Sequence, residues 1–227
     1  MGNLVKKFAA FADSNRHLFI LLYFIVCMVW FTIIESTVTT SFHVIHTPFD
    51  DLIPFCEYFV IPYVLWFAYV AWGVVYFAFR NVDEYYKLCM FLFTGMTIFL
   101  VISTVYPNGH FLRPSYFTHH NVFTKLCSII YSTDTATNLF PSIHCYNALA
   151  IHFAVMTSRE FRHNKIVRFI SLILCVNIIL ATMFIKQHSC FDVITALLLA
   201  AIMYHLVYVL DIFRRQTGPK MQFKKPQ

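Results

Sequence analysis

With 227 residues, 59% of them hydrophobic and only 12% charged, the chain lies far from soluble domains, in which about a quarter of residues are charged. That composition points to a membrane protein. The formal net charge of +6 needs no nucleic-acid partner, since Lys and Arg sort by membrane side. Five glycines leave little material for a glycine-rich phosphate loop.

In chain order, six apolar segments are each compatible with the roughly 20 residues a helix needs to cross a bilayer core. They run from Leu18 to Ile34, Tyr58 to Phe79, Leu88 to Tyr106, Pro141 to Thr157, Phe169 to Ile185 and Val193 to Leu210. Lipid offers no partner to open backbone, so the spans are helical. The expected fold is all-α, an integral membrane six-helix bundle forming one domain over residues 1–227, with short basic tails at 1–16 and 212–227. No small-residue cleavage site follows the first segment, which is read as a span and not as a cleaved signal.

If the N-terminus is cytoplasmic, one side holds 14 basic residues: Lys6, Lys7, Arg16, Arg80, Lys87, Arg159, Arg162, Lys165, Arg168, Arg214, Arg215, Lys220, Lys224 and Lys225. The other side holds three, Arg113, Lys125 and Lys186. This bias predicts cytoplasmic N and C termini and possible contacts with anionic lipid. Seven cysteines have neither a CxxC pair nor metal-ligand spacing, and those inside spans read as small packing residues.

Polar residues near membrane depth mark functional sites by default. "FPSIHCYN" at 140–147 opens the fourth segment and "KQHSCFD" at 186–192 opens the sixth. The loop before the fourth segment carries "YPNGHFLRPSYF" with Arg113. All three fall on the lysine-poor side. A lone histidine at a helix end is more often a satisfied boundary residue, and that reading is kept for His43, His46, His110, His119, His120, His152, His163 and His205. Three clusters on one side say more. His188 and Asp192 are four apart, so on a helix they share a face and the carboxylate can fix the imidazole tautomer. The other ring nitrogen is then free as a nucleophile. Pro141 and Ser142 are expected at the first turn of a helix, which favours an anion, and Arg113 offers a planar fork to phosphate oxygens. Together they ask for a phosphorylated substrate.

These stretches resemble the three motifs of the type 2 phosphatidic acid phosphatase superfamily. The first motif, Lys, six residues, then Arg-Pro, corresponds to "YPNGHFLRP"; Pro-Ser-Gly-His corresponds to "PSIH"; Ser-Arg, five residues, His, three residues, Asp corresponds to "ATMFIKQHSCFD". "DDLIPF" at 50–55 also resembles small bacterial members. Three departures stand out: Tyr106 replaces the lysine, Ile143 the glycine, and Ala181 and Thr182 the Ser-Arg pair. Lys186, Lys125 or an imidazolium of His119 or His120 is left to supply charge from another direction.

The resemblance implies an integral-membrane lipid phosphatase working without a metal or other cofactor. His188 would form a phosphohistidine, Asp192 would orient it, and His144 would act as acid and base. Arg113, Ser142 and Lys186 would bind the substrate. Asp50 and Asp51 are adjacent but have no further carboxylate close in sequence of the kind magnesium uses. The expected partners are a membrane lipid substrate and the bilayer, with an extracytoplasmic site in a bacterial plasma membrane; nothing identifies a protein partner. Two rival readings stand beside hydrolysis: head-group transfer of the sphingomyelin or inositol phosphorylceramide synthase type, and a degenerate lipid-binding or transport protein. The stretch Asn121–Tyr131, apolar at 122, 123, 126, 129 and 130, reads either as an interfacial helix over the site or as a packed loop. Glu35 and Glu57 read as interface residues.

Overall fold

A computed structural model describes residues 13–37 and 41–212. The basic tail residues Lys6, Lys7, Arg214, Arg215, Lys220, Lys224 and Lys225 lie outside them. A 3₁₀ turn, Arg16–Leu21, leads into α1, Leu22–Thr37. The short α2, Pro48–Leu52, precedes a second 3₁₀ turn, Glu57–Phe59, and α3, Val60–Arg80. Then come α4, Val82–Val105; α5, Val122–Thr133; α6, Ile143–Thr157; α7, Lys165–Phe184; and α8, Cys190–Tyr204, which ends in a π turn, His205–Val209.

Five of these helical stretches are long and apolar enough to cross a membrane: Arg16–Thr37, Glu57–Arg80, Val82–Val105, Lys165–Phe184 and Cys190–Val209. This is the make-up of a multi-pass membrane protein. The remaining expected segment, the fourth in chain order, forms α6, whose 15 residues span about 22 Å at 1.5 Å per residue. It is also the enclosed helix, since Cys145, Tyr146, Ala148, Ala150 and Ile151 are all buried. By contrast Phe19, Ile25, Val64, Phe169 and Leu198 turn outward, as side chains facing lipid would.

The turns use ordinary capping chemistry. Asn81 stops α3 and caps α4 by accepting from the Asp83 and Glu84 N–H groups, and those two acidic residues sit in the first turn, where the dipole favours them. Asn164 caps α7, and Ser142 and Ser189 cap α6 and α8. The ends of α1, α4 and α7 gather with the starts of α3, α6 and α8. There a two-residue parallel pair, β1 (His43–Val44) and β2 (Asn108–Gly109), ties the connections together. Asn108 extends this tie: its Oδ1 accepts from the Leu139 and Phe140 N–H groups at 2.8 and 2.9 Å, fixing the segment that leads into α6.

At the crossing of α4 and α6, Gly95 lies under the Tyr146 ring; a Cβ there would fall 2.0 Å from Tyr146 Cε1. The ring cannot easily yield, because its hydroxyl donates to Phe91 O at 2.8 Å and its face packs on Phe91. Gly95→Ala gains about 1 kcal/mol of helix propensity but overpacks a core contact at about 1–3 kcal/mol. A lowered thermal midpoint in detergent is the expected result, and an unchanged or higher midpoint would show that the helices separate freely here.

Candidate active site

The site is assembled where α6 and α8 begin. The chain leaves α7 in a tight turn: the N–H groups of Gln187 and His188 both donate to Thr182 O, at 2.9 and 3.0 Å. Ser189 then caps α8 in a reciprocal box, its own N–H donating to Asp192 Oδ2 at 3.0 Å. The same carboxylate oxygen lies 3.4 Å from His188 Nδ1, realising the expected i, i+4 pair. His188 and Asp192 are both buried. Asp192 reaches across to the neighbouring helix as well, because its main-chain oxygen accepts from Ser142 N at 3.2 Å.

His144 stands in the first turn of α6, and its Nδ1 is 3.2 Å from His188 Nε2. On its other side Nε2 is 3.1 Å from the Tyr63 hydroxyl, and its ring is flanked by Tyr63 and Trp66. Burial, reinforced by the Arg113 charge, pushes His188 down to about 3 against a weak opposing bond to the Leu139 main chain. It is therefore neutral at physiological pH, the form a nucleophile needs.

The three expected anion ligands have other engagements. Ser142 is buried; its N–H donates to Asp192 O, and its Oγ accepts from Cys145 N at 3.3 Å. Arg113 donates to the main-chain oxygens of Tyr131, Asp134 and Thr135 and to Gln187 Oε1 at 2.6 Å, and lies over the Tyr131 ring at 4.6 Å. Its Nε and the Gln187 Nε2 are buried without a partner among the described residues, so each retains a donor for a bound anion. Lys186 donates through Nζ to Asp50 O at 2.7 Å and to Ile53 O at 2.5 Å. Tyr106, at the position of the motif lysine, stacks flat on His43 at 4.1 Å.

Asp50 shows why "DDLIPF" matters. It is buried, and although burial would raise it, hydrogen bonds from Ser189, Cys190 and Thr47 hold its carboxyl below the usual range. Oδ1 accepts from Cys190 N and Oδ2 from Ser189 Oγ, both at 2.7 Å. α2 thus completes the cap of α8 from 140 residues away. Glu35 ties α1 to the same end by accepting from the Thr135 N–H and hydroxyl. Glu57, expected as an interface residue, accepts from Asn121 Nδ2 at 3.1 Å and pairs with His119 at 3.2 Å. Along α5, Phe123 and Ile130 pack on Val60 and Tyr63 while Val122, Leu126 and Ile129 are exposed. A 580 Å³ groove beside that helix is lined by His120, Lys125 and Ser128 among others.

With this geometry in view, a comparison with protein families is decisive: residues 112–216 match the PAP2 superfamily. This segment belongs to that superfamily. Membership suggests phosphatase or related phosphotransferase activity. The PAP2 segment opens just before Arg113 and contains Ser142, His144, Lys186, His188 and Asp192, whereas Asp50 and Tyr63 precede it. No curated protein and no solved structure matches the chain.

Two substitutions test the supports of the PAP2 site. Lys186 has φ of 54°, a left-handed conformation that costs a non-glycine residue about 1–2 kcal/mol. Lys186→Gly removes that strain but also two charge-assisted hydrogen bonds of about 1.5–3 kcal/mol each. A net fall in thermal midpoint is expected; a rise would mean that strain outweighs the tether. His110 is also buried, with Nδ1 accepting from Leu112 N and Nε2 donating to Gln187 O. Burial depresses it from 6.5 to about 4, against the Gln187 bond. A depressed histidine lends stability above its unfolded pKa that is lost as pH falls through the folded one. The thermal midpoint should therefore drop between about pH 6.5 and 4, and His110→Gln should make that slope shallower; an identical slope would remove His110 from the effect.

Proposed function

We propose that the chain is a membrane lipid-phosphate phosphatase acting through a phosphohistidine at the extracytoplasmic end of six spans, with both termini cytoplasmic. The observation that carries this reading is the alignment of Asp192, His188 and His144 at 3.4 and 3.2 Å. Asp192 holds the proton on His188 Nδ1, leaving the Nε2 lone pair to attack phosphorus. The phosphoryl group enters between the two rings, replacing their direct contact. His144 protonates the departing alcohol oxygen and then takes a proton from the water that cleaves the phosphohistidine. The buried Arg113 Nε and the Ser142 hydroxyl hold phosphoryl oxygens as charge redistributes. Lys186 acts in this reading as a tether between α2 and the turn before His188, and only indirectly on substrate.

A phosphatidic acid-like monoester or a polyprenyl diphosphate suits a site between apolar helices. α5, with an exposed apolar edge, lies at the interface where acyl chains approach. Chain size and the Phe, Ile and Tyr content favour a bacterial plasma membrane. Head-group transfer is the second reading, and one observation favours it: main-chain carbonyls already occupy most of the Arg113 guanidinium, while two motif cations are replaced. A site with fewer cations suits a phosphodiester better than a dianionic monoester.

The test is phosphate release from phosphatidic acid in detergent micelles with EDTA present. Wild type should release phosphate, and His188→Ala should fall by at least about a hundredfold and fail to retain label from a radiolabelled donor. Labelling retained by His188→Ala would overturn the assignment of the nucleophile. A new head-group lipid formed from a phospholipid donor and a diacylglycerol or ceramide acceptor, without free phosphate, would establish transfer.

A further inference from the structure

His188 has a carboxylate behind it, and so, at one remove, does His144. The Tyr63 hydroxyl lies 3.1 Å from His144 Nε2 and 3.3 Å from Asp134 Oδ2. Tyr63 belongs to α3 and is buried; Asp134 directly follows α5 and is half-buried. The contacts form one unbroken row: Asp192, His188, His144, Tyr63, Asp134. Resting on the phosphoryl-transfer reading above, we propose that Tyr63 and Asp134 are a proton relay that lets His144 act as acid and base without becoming an imidazolium.

The argument is one of hydrogen-bond polarity. For His188 to attack through Nε2, its proton is on Nδ1, facing Asp192. Nε2 then accepts from His144 Nδ1–H. A neutral imidazole carries one proton, so His144 Nε2 has a lone pair and accepts from the Tyr63 hydroxyl. The Tyr63 oxygen, no longer donating to Asp134, is left to accept from a protonated Asp134. In this polarity the spare proton of the row resides on Asp134.

The transfers balance. As the His188 Nε2–P bond forms and the P–O ester bond breaks, the His144 Nδ1 proton passes to the departing oxygen. The Tyr63 proton moves to His144 Nε2, and the Asp134 proton moves to Tyr63. His144 remains neutral throughout, and Asp134 ends as a carboxylate. When water cleaves the P–N bond, its proton goes to His144 Nδ1. The Nε2 proton returns through Tyr63 to Asp134, and the row is reset with no net gain or loss.

Such a shift avoids placing a positive charge on a ring enclosed by Tyr63 and Trp66 at membrane depth, where an unpaired ion is costly. Other groups around the row are compatible with it. Arg113 donates to the Asp134 main-chain oxygen at 2.8 Å, and its charge and that of Glu35 act on the carboxyl in opposite senses. Burial is the larger influence and raises Asp134 to about 6, so about half of it keeps its proton at pH 6 and about a tenth at pH 7. Tyr63 transmits the proton; Asp134 is a positioning and storage group that never touches the substrate.

The test exploits the leaving group. Phosphate release is measured for wild type, Tyr63→Phe and Asp134→Asn on phosphatidic acid in detergent micelles and on 4-nitrophenyl phosphate, whose phenolate departs without a proton. With phosphatidic acid both variants should lose about a hundredfold in kcat with KM little changed; with the aryl phosphate the first-turnover release of nitrophenolate, which needs no proton, should change little. The wild-type kcat on phosphatidic acid should fall as Asp134 loses its proton, and Asp134→Asn should abolish that limb of the pH profile. Wild-type rates in Tyr63→Phe on phosphatidic acid, a matching loss in first-turnover nitrophenolate release, or an unchanged pH profile in Asp134→Asn would each overturn the relay. If folded wild type releases phosphate from neither substrate, the hydrolytic reading itself fails, and the relay with it. If it accepts phosphatidic acid alone, the pH profile decides.

Discussion

The site depends on how many bonds the Asp192 residue makes at once. One carboxylate oxygen accepts both from the Ser189 N–H, closing the cap of α8, and from the His188 ring. Its main-chain oxygen accepts from Ser142, so α8 and α6 start in fixed register. Orientation of the proposed nucleophile, termination of a helix and docking of two helices are therefore one constraint. A buried carboxylate needs several donors to be tolerated, and here those donors are the backbone of the site itself.

Around this centre the structure adds supports from distant sequence. Asp50 reaches the first turn of α8, Lys186 reaches back to the chain around Asp50, and Asn108 fixes the segment entering α6. Each replaces backbone partners that water would otherwise provide. Arg113 has the same character: its fork matches three carbonyls, of Tyr131 in the last turn of α5 and of Asp134 and Thr135 just after it, as well as it would match phosphate oxygens. A planar donor array of this kind can organise a loop and still present an unpaired Nε.

The helices were legible because uninterrupted apolar runs have few alternatives in lipid, whereas their starts were not, since the caps at Asn81, Asn164 and Ser189 emerge only with the structure. The histidine pair was legible because polar residues at the mouths of such runs are costly. α6 was legible as a helix but not as the enclosed member, since hydropathy does not distinguish a lipid face from a protein face. Tyr63 left no signal: it is one tyrosine within an aromatic-rich apolar run, and its hydroxyl acquires meaning only when α6 brings His144 alongside. Asp134 was equally silent, in a short polar loop with no periodicity. Arg113 and Lys186 were expected to face phosphate, but sequence cannot weigh a ligand against a carbonyl 20 or 130 residues away.

The shortness of α6 has a geometric consequence. A helix of about 22 Å inside a bilayer core of about 30 Å leaves roughly 8 Å to be divided between its two ends. On the proposed reading, with α6 centred among its longer neighbours, its opening turn with Ser142 and His144 would be recessed, and a lipid phosphate arriving from the head-group layer would have to descend to it, carrying its glycerol or prenyl attachment along. The depth of one helix mouth would then filter how a substrate is presented, independent of any contact that recognises its head group.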